Sequence, residues 1–455
     1  MKPSLNQEKI VRKKIEEKCL YLNDLGEGVF RDDKGFGSTS NFLKGEKAVI
    51  EKTTFHNKTY YRILRRLSNS RDRVEPKCKI YDKCGSCHLL HMNYENQLKF
   101  KYDYVVNAFK EYKLNPKIDE VIKATVLERY RNKMQVAYSS YNGNIIYGFY
   151  EEESHRIIPL DDCLVQSTRQ NEIVKAIAII MKELHISPYN EDKKTGLIRF
   201  ALVREAVATG EILVTIVTNS EVFPGKNEFV NRLKKRCPYI TTLVQNINTR
   251  KTSVILGDME KVIFGKGYIT DTLCGINFDI SSKTFYQINP YQTERLYSKA
   301  IEYAELTGEE ILLDAYCGVG TIGIICSKYA KEVVGVESNK QSVINARNNA
   351  YNNKIRNIRF VNMDATEYLL NNQDLMFDCI IMDPPRSGST VEFLNAVKKI
   401  APKKVIYVSC EAKTLARDIK ILSDKYEIKK KAIVDMFIGT YHIETVCLLT
   451  KKDQK

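Results

Sequence analysis

From residue 309 onward the chain alternates unbroken apolar runs with amphipathic ones. EEILLDAYC, EVVGVES, IRFVNMDA, FDCIIMDPP and KVIYVSC read as buried strands, each with a helical stretch after it. Among those stretches are VGTIGIICSKYA, NKQSVINARNNAYN and the run after Cys410, where Leu415 and Ile419 share a face. IVDMF and ETVCLLTKK close the chain as a strand pair. Strands alternating with helices predict an α/β fold with a doubly wound parallel sheet, whose ligands bind beyond the carboxyl ends of the strands.

Upstream the periodicity changes twice. KCLYLNDLGEGVFRD and KGFGSTSNFLKGEKAVIEKTTFHNKTYYRILRRL give short alternating strands broken by glycines and punctuated by Lys and Arg, the composition of a small oligonucleotide-binding β-barrel. A loop over 68–92 precedes an amphipathic helix with Leu98, Tyr102, Val105, Val106 and Phe109 at helical spacing, a stripe that reads as core. Residues 118–280 mix strand-like and helix-like runs in an α+β pattern. The expected organisation is a β-domain over 1–67, a central α+β domain over 68–280 and a Rossmann-like domain over 281–455.

Composition narrows the partners. The 455 residues carry 71 Lys and Arg against 56 Asp and Glu, a net charge of +15, which favours a polyanion such as nucleic acid, though scattered surface lysines give the same balance. No run of eighteen uncharged apolar residues exists, so no membrane span is expected. The charged N-terminus MKPSLNQEKIVRKKIEEK lacks the apolar core of a secretory signal, which makes the cytoplasm the default location. Twelve cysteines in a cytosolic chain then point to thiol or metal chemistry rather than disulfides. A monomer is expected.

The strand ends carry Asp314, Glu337, Asp364, Asp383 and Cys410. DAYCGVGTIG places Gly318 and Gly320 in the first strand-helix turn, where a ligand can approach backbone and a helix N-terminus, and Gly323 completes a G-x-G-x-x-G pattern. Glu337 ends the next strand, where a carboxylate accepts both hydrogen bonds of a ribose diol. This much fits NAD or S-adenosylmethionine. DPPR, residues 383–386, looks like motif IV of S-adenosylmethionine-dependent methyltransferases, with Arg386 where amino-methylating members carry an aromatic residue. That speaks against methylation of an adenine amine and leaves carbon or another position as target. Carbon 5 of uracil is too poor a nucleophile to attack a sulfonium methyl directly. A thiolate adding to carbon 6 makes carbon 5 reactive, and a base must later remove the carbon 5 proton. Cys410, at a strand-to-helix turn where a helix N-terminus lowers a thiol's pKa, suits the first role. DMFIGTYHIET offers His442 and Glu444 for the second.

SSKTFYQINP, DAYCGVGTIG, GVE, DPPR, YVSCEAKTLARD and DMFIGTYHIET occur in the order and spacing of the RNA 5-methyluridine methyltransferase family, and the chain resembles that family over nearly its whole length. RYRNK and GFYEEESHRIIPLDDC resemble its central domain, and the glycine-rich β-domain resembles its N-terminal RNA-binding TRAM domain. The resemblance implies Cys410 as nucleophile and Glu444 as proton-abstracting base. It implies a cofactor and uracil pocket lined by Gln287, Tyr316, Glu337 and Asp383, with Thr321 and Asp364 carried over as cofactor contacts. The usual SCNP is here SCEA, so Glu411 and Ala412 leave the local turn open to question. A methyltransferase acting on carbon 5 of cytosine uses the same covalent logic, and an RNA-binding protein with a degenerate methyltransferase domain is the non-enzymatic alternative.

Cys78, Cys84 and Cys87 form C-x5-C-x2-C, with Cys163 a distant fourth. Spacing alone allows zinc or a [4Fe-4S] cluster, with His88 and His91 as rival ligands or plain loop residues. The 23S ribosomal RNA branch of the resembled family carries such a cluster and the transfer RNA branch generally lacks it, so the resemblance implies iron-sulfur and ribosomal RNA. The other cysteines (Cys19, Cys237, Cys274, Cys317, Cys326, Cys379 and Cys447) read as structural.

Overall fold

The computed structural model describes residues 11–33, 35–55, 58–151, 154, 156–250 and 254–453. Part of the charged N-terminal stretch, and positions 152, 153 and 155 of GFYEEESHRIIPLDDC, lie outside the described residues. The chain divides into two compact units. One holds the residues up to Tyr104 with Gly439–Tyr441; the other holds Val105–Ile438 and the chain from His442 on.

The first unit starts with β1 (Val11–Lys18), β2 (Tyr21–Leu22), β3 (Gly28–Asp32), β4 (Gly35–Thr39), β5 (Lys47–Phe55) and β6 (Lys58–Ser68). They form two antiparallel sheets, β1-β5-β6 and β2-β3-β4, over a core of Cys19, Phe30, Phe42, Ala48 and Ile50. Close packing demands glycine here: a β-carbon on Gly28 would lie 2.3 Å from the Phe42 carbonyl oxygen. The cysteine loop follows, then α1 (Tyr94–Glu111), which continues into the second unit. The Gly439 carbonyl accepts the His88 and Leu89 N–H groups at 2.8 Å each, so residues 439–441 belong with this loop.

The second unit contains β7 (Glu120–Ile122), β8 (Lys133–Tyr141), β9 (Asn144–Tyr150), β10 (Ile157–Pro159), α2 (Thr168–Glu183), β11 (Ile198–Glu205), β12 (Ile212–Thr218), α3 (Lys226–Arg236), β13 (Thr242–Ile247) and β14 (Met259–Phe264). Apart from β7 these strands make one sheet in the order β10-β9-β8-β11-β12-β13-β14. The hairpin β15 (Ile269–Leu273) and β16 (Ile276–Ile280) leads to α4 (Pro290–Ala304). Then come β17 (Ile311–Ala315), α5 (Thr321–Cys326), β18 (Glu332–Glu337), α6 (Lys340–Asn352), β19 (Ile358–Asn362), α7 (Ala365–Asn371), β20 (Cys379–Met382), α8 (Val391–Ile400), β21 (Lys404–Ser409), α9 (Ala412–Leu422), β22 (Tyr426–Val434) and β23 (Glu444–Lys451).

The resulting sheet has the order β19-β18-β17-β20-β21-β23-β22-β7. Its first five strands are parallel and β23 runs antiparallel between β21 and β22. Strands covered by helices on both faces are apolar without alternation, which is why runs such as Ile311-Leu312-Leu313 and Val405-Ile406-Tyr407-Val408 mark them. Strand order reverses at β17, with β18 on one side and β20 on the other, and a crevice forms at such a switch point. Register then aligns the chemistry. Ala315 pairs with Met382, so Tyr316 and Asp383 leave the sheet side by side. Ser409 pairs with Thr445, so Cys410 and Glu444 stand opposite each other at the next rung of the ladder. The edge strand β7 comes from within the 68–280 stretch and pairs in parallel with β22. Among the described residues no helix is long and apolar enough to cross a membrane.

Candidate active site

A cavity of about 730 Å³ opens at the switch point. Gln287, Tyr316, Thr321, Glu337, Asp364, Asp383, Cys410 and Glu444 all line it. Residues scattered over 158 positions of sequence, from 287 to 444, are thus brought to one space by strand ends.

One half of the cavity is built from backbone and oxygen acceptors. Gly318 (φ 55°) and Gly320 (φ 79°) turn the chain after β17 through the left-handed region. A β-carbon on Gly318 would meet nothing within 4 Å, so open space lies over this turn. Asp314, expected at a strand end, instead lies within β17, buried, and its carboxylate accepts the Gly323 N–H at 2.7 Å. It braces the turn from below, and a β-carbon on Gly323 would come within 2.7 Å of it. Glu337 accepts the Gly318 N–H at 3.1 Å and the Asn339 N–H at 2.7 Å, which ties the ends of β17 and β18 together. Asp364 is the N-cap of α7, one oxygen accepting the Thr366 and Glu367 N–H groups at 2.8 and 3.2 Å. Tyr316 (φ 64°) places its hydroxyl 3.4 Å from the Ser389 hydroxyl. Adenosine-type ligands need such a glycine turn, an acceptor at the second strand end and open space between, and this half of the cavity fits one.

The other half holds a thiol among carboxylates. Burial pushes Asp383 up to about 7, although it is partly open to the cavity. Burial also pushes Glu444 well above the carboxylate range, with the Asp383 charge adding to the rise and Arg386 opposing it. Cys410 is half-buried and does not show the depressed pKa expected of a helix N-terminus. Burial first, then the Glu444 and Asp383 charges, push its thiol up to about 12, against the opposing charge and hydrogen bond of Arg386. The helix N-terminus is taken by another group: Glu411 caps α9, its carboxylate accepting the Lys413 N–H at 3.2 Å. The Ser409 hydroxyl accepts the Glu411 N–H at 3.1 Å, and Ala412 begins the helix, buried. The SCEA departure therefore keeps a closed strand-to-helix turn.

Several lining groups were not singled out as site residues by the sequence reading. Lys133, at the start of β8 in the other sheet, faces the cavity, its pKa lowered by burial and by the nearby Arg204 and Arg131. Its neighbour Asn132 donates to the Gln287 carbonyl at 2.9 Å and fixes that loop. Phe285, 70% exposed, stands at the mouth. Arg386 lies 3.3 Å from His442 Nε2, so His442 contacts a cavity residue without lining the cavity itself. RYRNK and SSKTFYQINP were visible as motifs; that they meet was not.

The cysteine loop is a different matter. Cys78, Cys84 and Cys87 sit on turns of the first unit and Cys163 in the second, after β10. The donor set has suitable chemistry, but among the described residues no three His, Cys, Asp or Glu side chains are placed to hold a metal ion. His91 is fully buried, its Nδ1 2.5 Å from the Tyr81 hydroxyl, and burial holds its pKa down at about 3; it is a core residue.

Comparison with known proteins bears on this geometry. The chain is 42% identical over 449 residues to an uncharacterized RNA methyltransferase of Staphylococcus epidermidis, covering 96% of this chain and 97% of that one. It is 39% identical over 454 residues to an uncharacterized RNA methyltransferase of Clostridium acetobutylicum, covering 97% and 98%. Its fold matches the crystal structure of Pyrococcus abyssi tRNA (uracil-54, C5)-methyltransferase in complex with S-adenosyl-L-homocysteine, with TM-score 0.78 and 27% identity over 96% of this chain and 100% of the other. The family described as tRNA (Uracil-5-)-methyltransferase matches residues 93–452, a span that takes in every strand end around the cavity. With that span and these relatives, this chain belongs to the tRNA (uracil-5-)-methyltransferase family.

Proposed function

We propose that this protein methylates carbon 5 of a uridine in 23S ribosomal RNA, acting in the cytoplasm as a monomer. One observation carries the reading: Cys410, Asp383 and Glu444 share a single cavity with the glycine turn and Glu337. S-adenosylmethionine, when bound, supplies the electrophilic methyl group. Gln287, Tyr316, Thr321, Glu337, Asp364 and Asp383 would hold it and the uracil.

The chain's own groups do the rest. The Cys410 thiol gives its proton to solvent and its sulfur bonds to carbon 6, moving the ring's electron pair toward carbon 5 and oxygen 4. Carbon 5 then takes the methyl group. Glu444 accepts the carbon 5 proton, the ring double bond re-forms, and the sulfur leaves as thiolate. Once ionised, a carboxylate whose pKa is pushed well above its usual range is a stronger base than an ordinary one, which suits Glu444 to that step. The target must leave any stack to reach a thiol at the cavity wall, so an unpaired uridine is the substrate. The N-terminal strands would serve as a TRAM-like RNA-binding barrel.

The ribosomal assignment rests on the four-cysteine pattern and brings with it a [4Fe-4S] cluster on Cys78, Cys84, Cys87 and Cys163; no step of the reaction passes through it. Likeness to the Pyrococcus enzyme favours transfer RNA as the second reading. Mapping 5-methyluridine in ribosomal and transfer RNA from a strain lacking the protein, against its parent, tests both. Loss of 5-methyluridine at one or two positions of 23S RNA is expected. Loss from transfer RNA alone selects the second reading, and loss from neither overturns the function.

A further inference from the structure

A second cavity, of about 370 Å³, lies beside the catalytic one in the same unit. One face of α6 forms a wall: Asn345, Asn348, Asn349 and Asn352 fall at i, i+3, i+4 and i+7. Tyr268, Ser281 and Thr284 stand across from them in the lining. Two of the amides are committed to the fold. Asn349 accepts the Asp279 N–H at 3.0 Å and donates to the Val319 carbonyl at 3.3 Å, and Asn352 donates to the Asp279 carboxylate at 3.0 Å. The other oxygen of Asp279 accepts the Thr270 hydroxyl at 2.7 Å. The remaining two amides are not committed. Asn345 accepts from Gln341 at 3.2 Å, which leaves its NH2 group unpartnered, and the Asn348 side chain has no partner among the described residues. The lining contains no lysine or arginine, so it does not select phosphate. It offers amides, hydroxyls, the Asp279 carboxylate already held by Asn352 and Thr270, and the Tyr268 ring, over which the Lys266 ammonium sits at 4.6 Å; donors and acceptors of this kind read the edge of a base.

The two cavities share walls. Thr284 lines the second and the next residue, Phe285, lines the first. Ser342 lines the first and Asn345 the second, about 4.5 Å apart along the helix axis. We infer that the second cavity is a base-binding subsite for a nucleotide neighbouring the target uridine. This rests on the RNA-uridine reading above.

The test uses the full chain and an RNA fragment carrying the mapped uridine, varied one flanking nucleotide at a time, with methyl incorporation as readout. At one flanking position the wild type should discriminate between the best and worst base by about fivefold or more, the worth of one good amide pairing. Asn348→Asp, which turns a donor into an acceptor, should change which base is preferred there. Asn345→Ala with Asn348→Ala should bring discrimination at that position below about twofold and leave the other positions as they were. Thermal melts confirm that the variants fold. Flanking profiles identical in all three proteins overturn the subsite and leave the function standing. A wild type that methylates none of the fragments overturns both.

Discussion

Cys410 should be slow to alkylate, and its pH profile should show why. With its thiol pushed up to about 12, roughly one molecule in ten thousand carries thiolate at pH 8, against about a quarter for an ordinary thiol near 8.5. The thiolate population is thus lower by about 2,400-fold. A more basic thiolate is intrinsically more nucleophilic, and a Brønsted slope of about 0.45 over about 3.5 pKa units recovers about 40-fold. The net slowing is about 60-fold. Tryptic cleavage after Lys404 and Lys413 isolates VIYVSCEAK, which contains Cys410 and no other cysteine. Iodoacetamide labelling of that peptide, followed by mass spectrometry from pH 7 to 10.5, should rise about tenfold per pH unit with no plateau. Glu444→Gln should bring the midpoint down by removing a charge that raises it. Steric shielding would lower the rate without moving the midpoint, so the profile is diagnostic. A plateau below pH 9 would falsify the picture of a thiol held neutral by burial and two carboxylates.

Cys410→Ala should lose turnover and fail to form the covalent adduct that the wild type forms with 5-fluorouridine RNA on a denaturing gel; an adduct persisting in the variant would assign the nucleophile elsewhere. Glu444→Gln should methylate but not release, so covalent protein-RNA should accumulate on normal substrate, and turnover at the wild-type rate would mean another base acts. Asp314 is raised by burial to about 7, so its neutral form favours the fold: that stability is complete below about pH 4 and is lost as pH rises through 7. Asp314→Asn keeps an acceptor for Gly323, and denaturant titrations should show the wild type losing about 3 kcal/mol more than the variant between pH 5 and pH 8, with equal losses counting against a buried acid there. Protein purified without air should be brown and hold iron if the cysteine set binds a cluster, and stoichiometric zinc without iron would remove the ground for preferring ribosomal RNA.

The parallel strands were legible because helices cover both faces, which leaves unbroken apolar runs with acids at their ends. Glu337, Asp383 and Cys410 follow directly from that. Three features were not legible. β7 is three residues long, too short to carry a period, yet it completes the edge of the sheet beside β22. α5 stops at Cys326, where twelve residues of apolar pattern predict a longer helix; Ser327 ends it by donating its hydroxyl to the Ile324 carbonyl at 2.7 Å. Lys133 enters from a strand more than 150 residues before Phe285, and nothing in RYRNK states which cavity it faces. The Cys410 thiol shows a limit of another kind: position in sequence suggests a helix terminus, but Glu411 takes that terminus, and burial followed by the neighbouring carboxylates sets the charge state.

The pairing of Ser409 with Thr445 has a consequence for how this enzyme can vary. Cys410 and Glu444 stand opposite each other one rung beyond that pair, so the ladder sets their spacing. Extra residues at the exposed turn around Asp424 and Lys425, between α9 and β22, can lengthen the connection without moving either side chain, whereas residues 435–443 are mostly buried and hydrogen-bonded into the fold. A single residue inserted inside β21 or β23 would instead turn every following side chain to the opposite face and separate the pair. Length variation among relatives should therefore collect in that exposed turn and be absent from both strands.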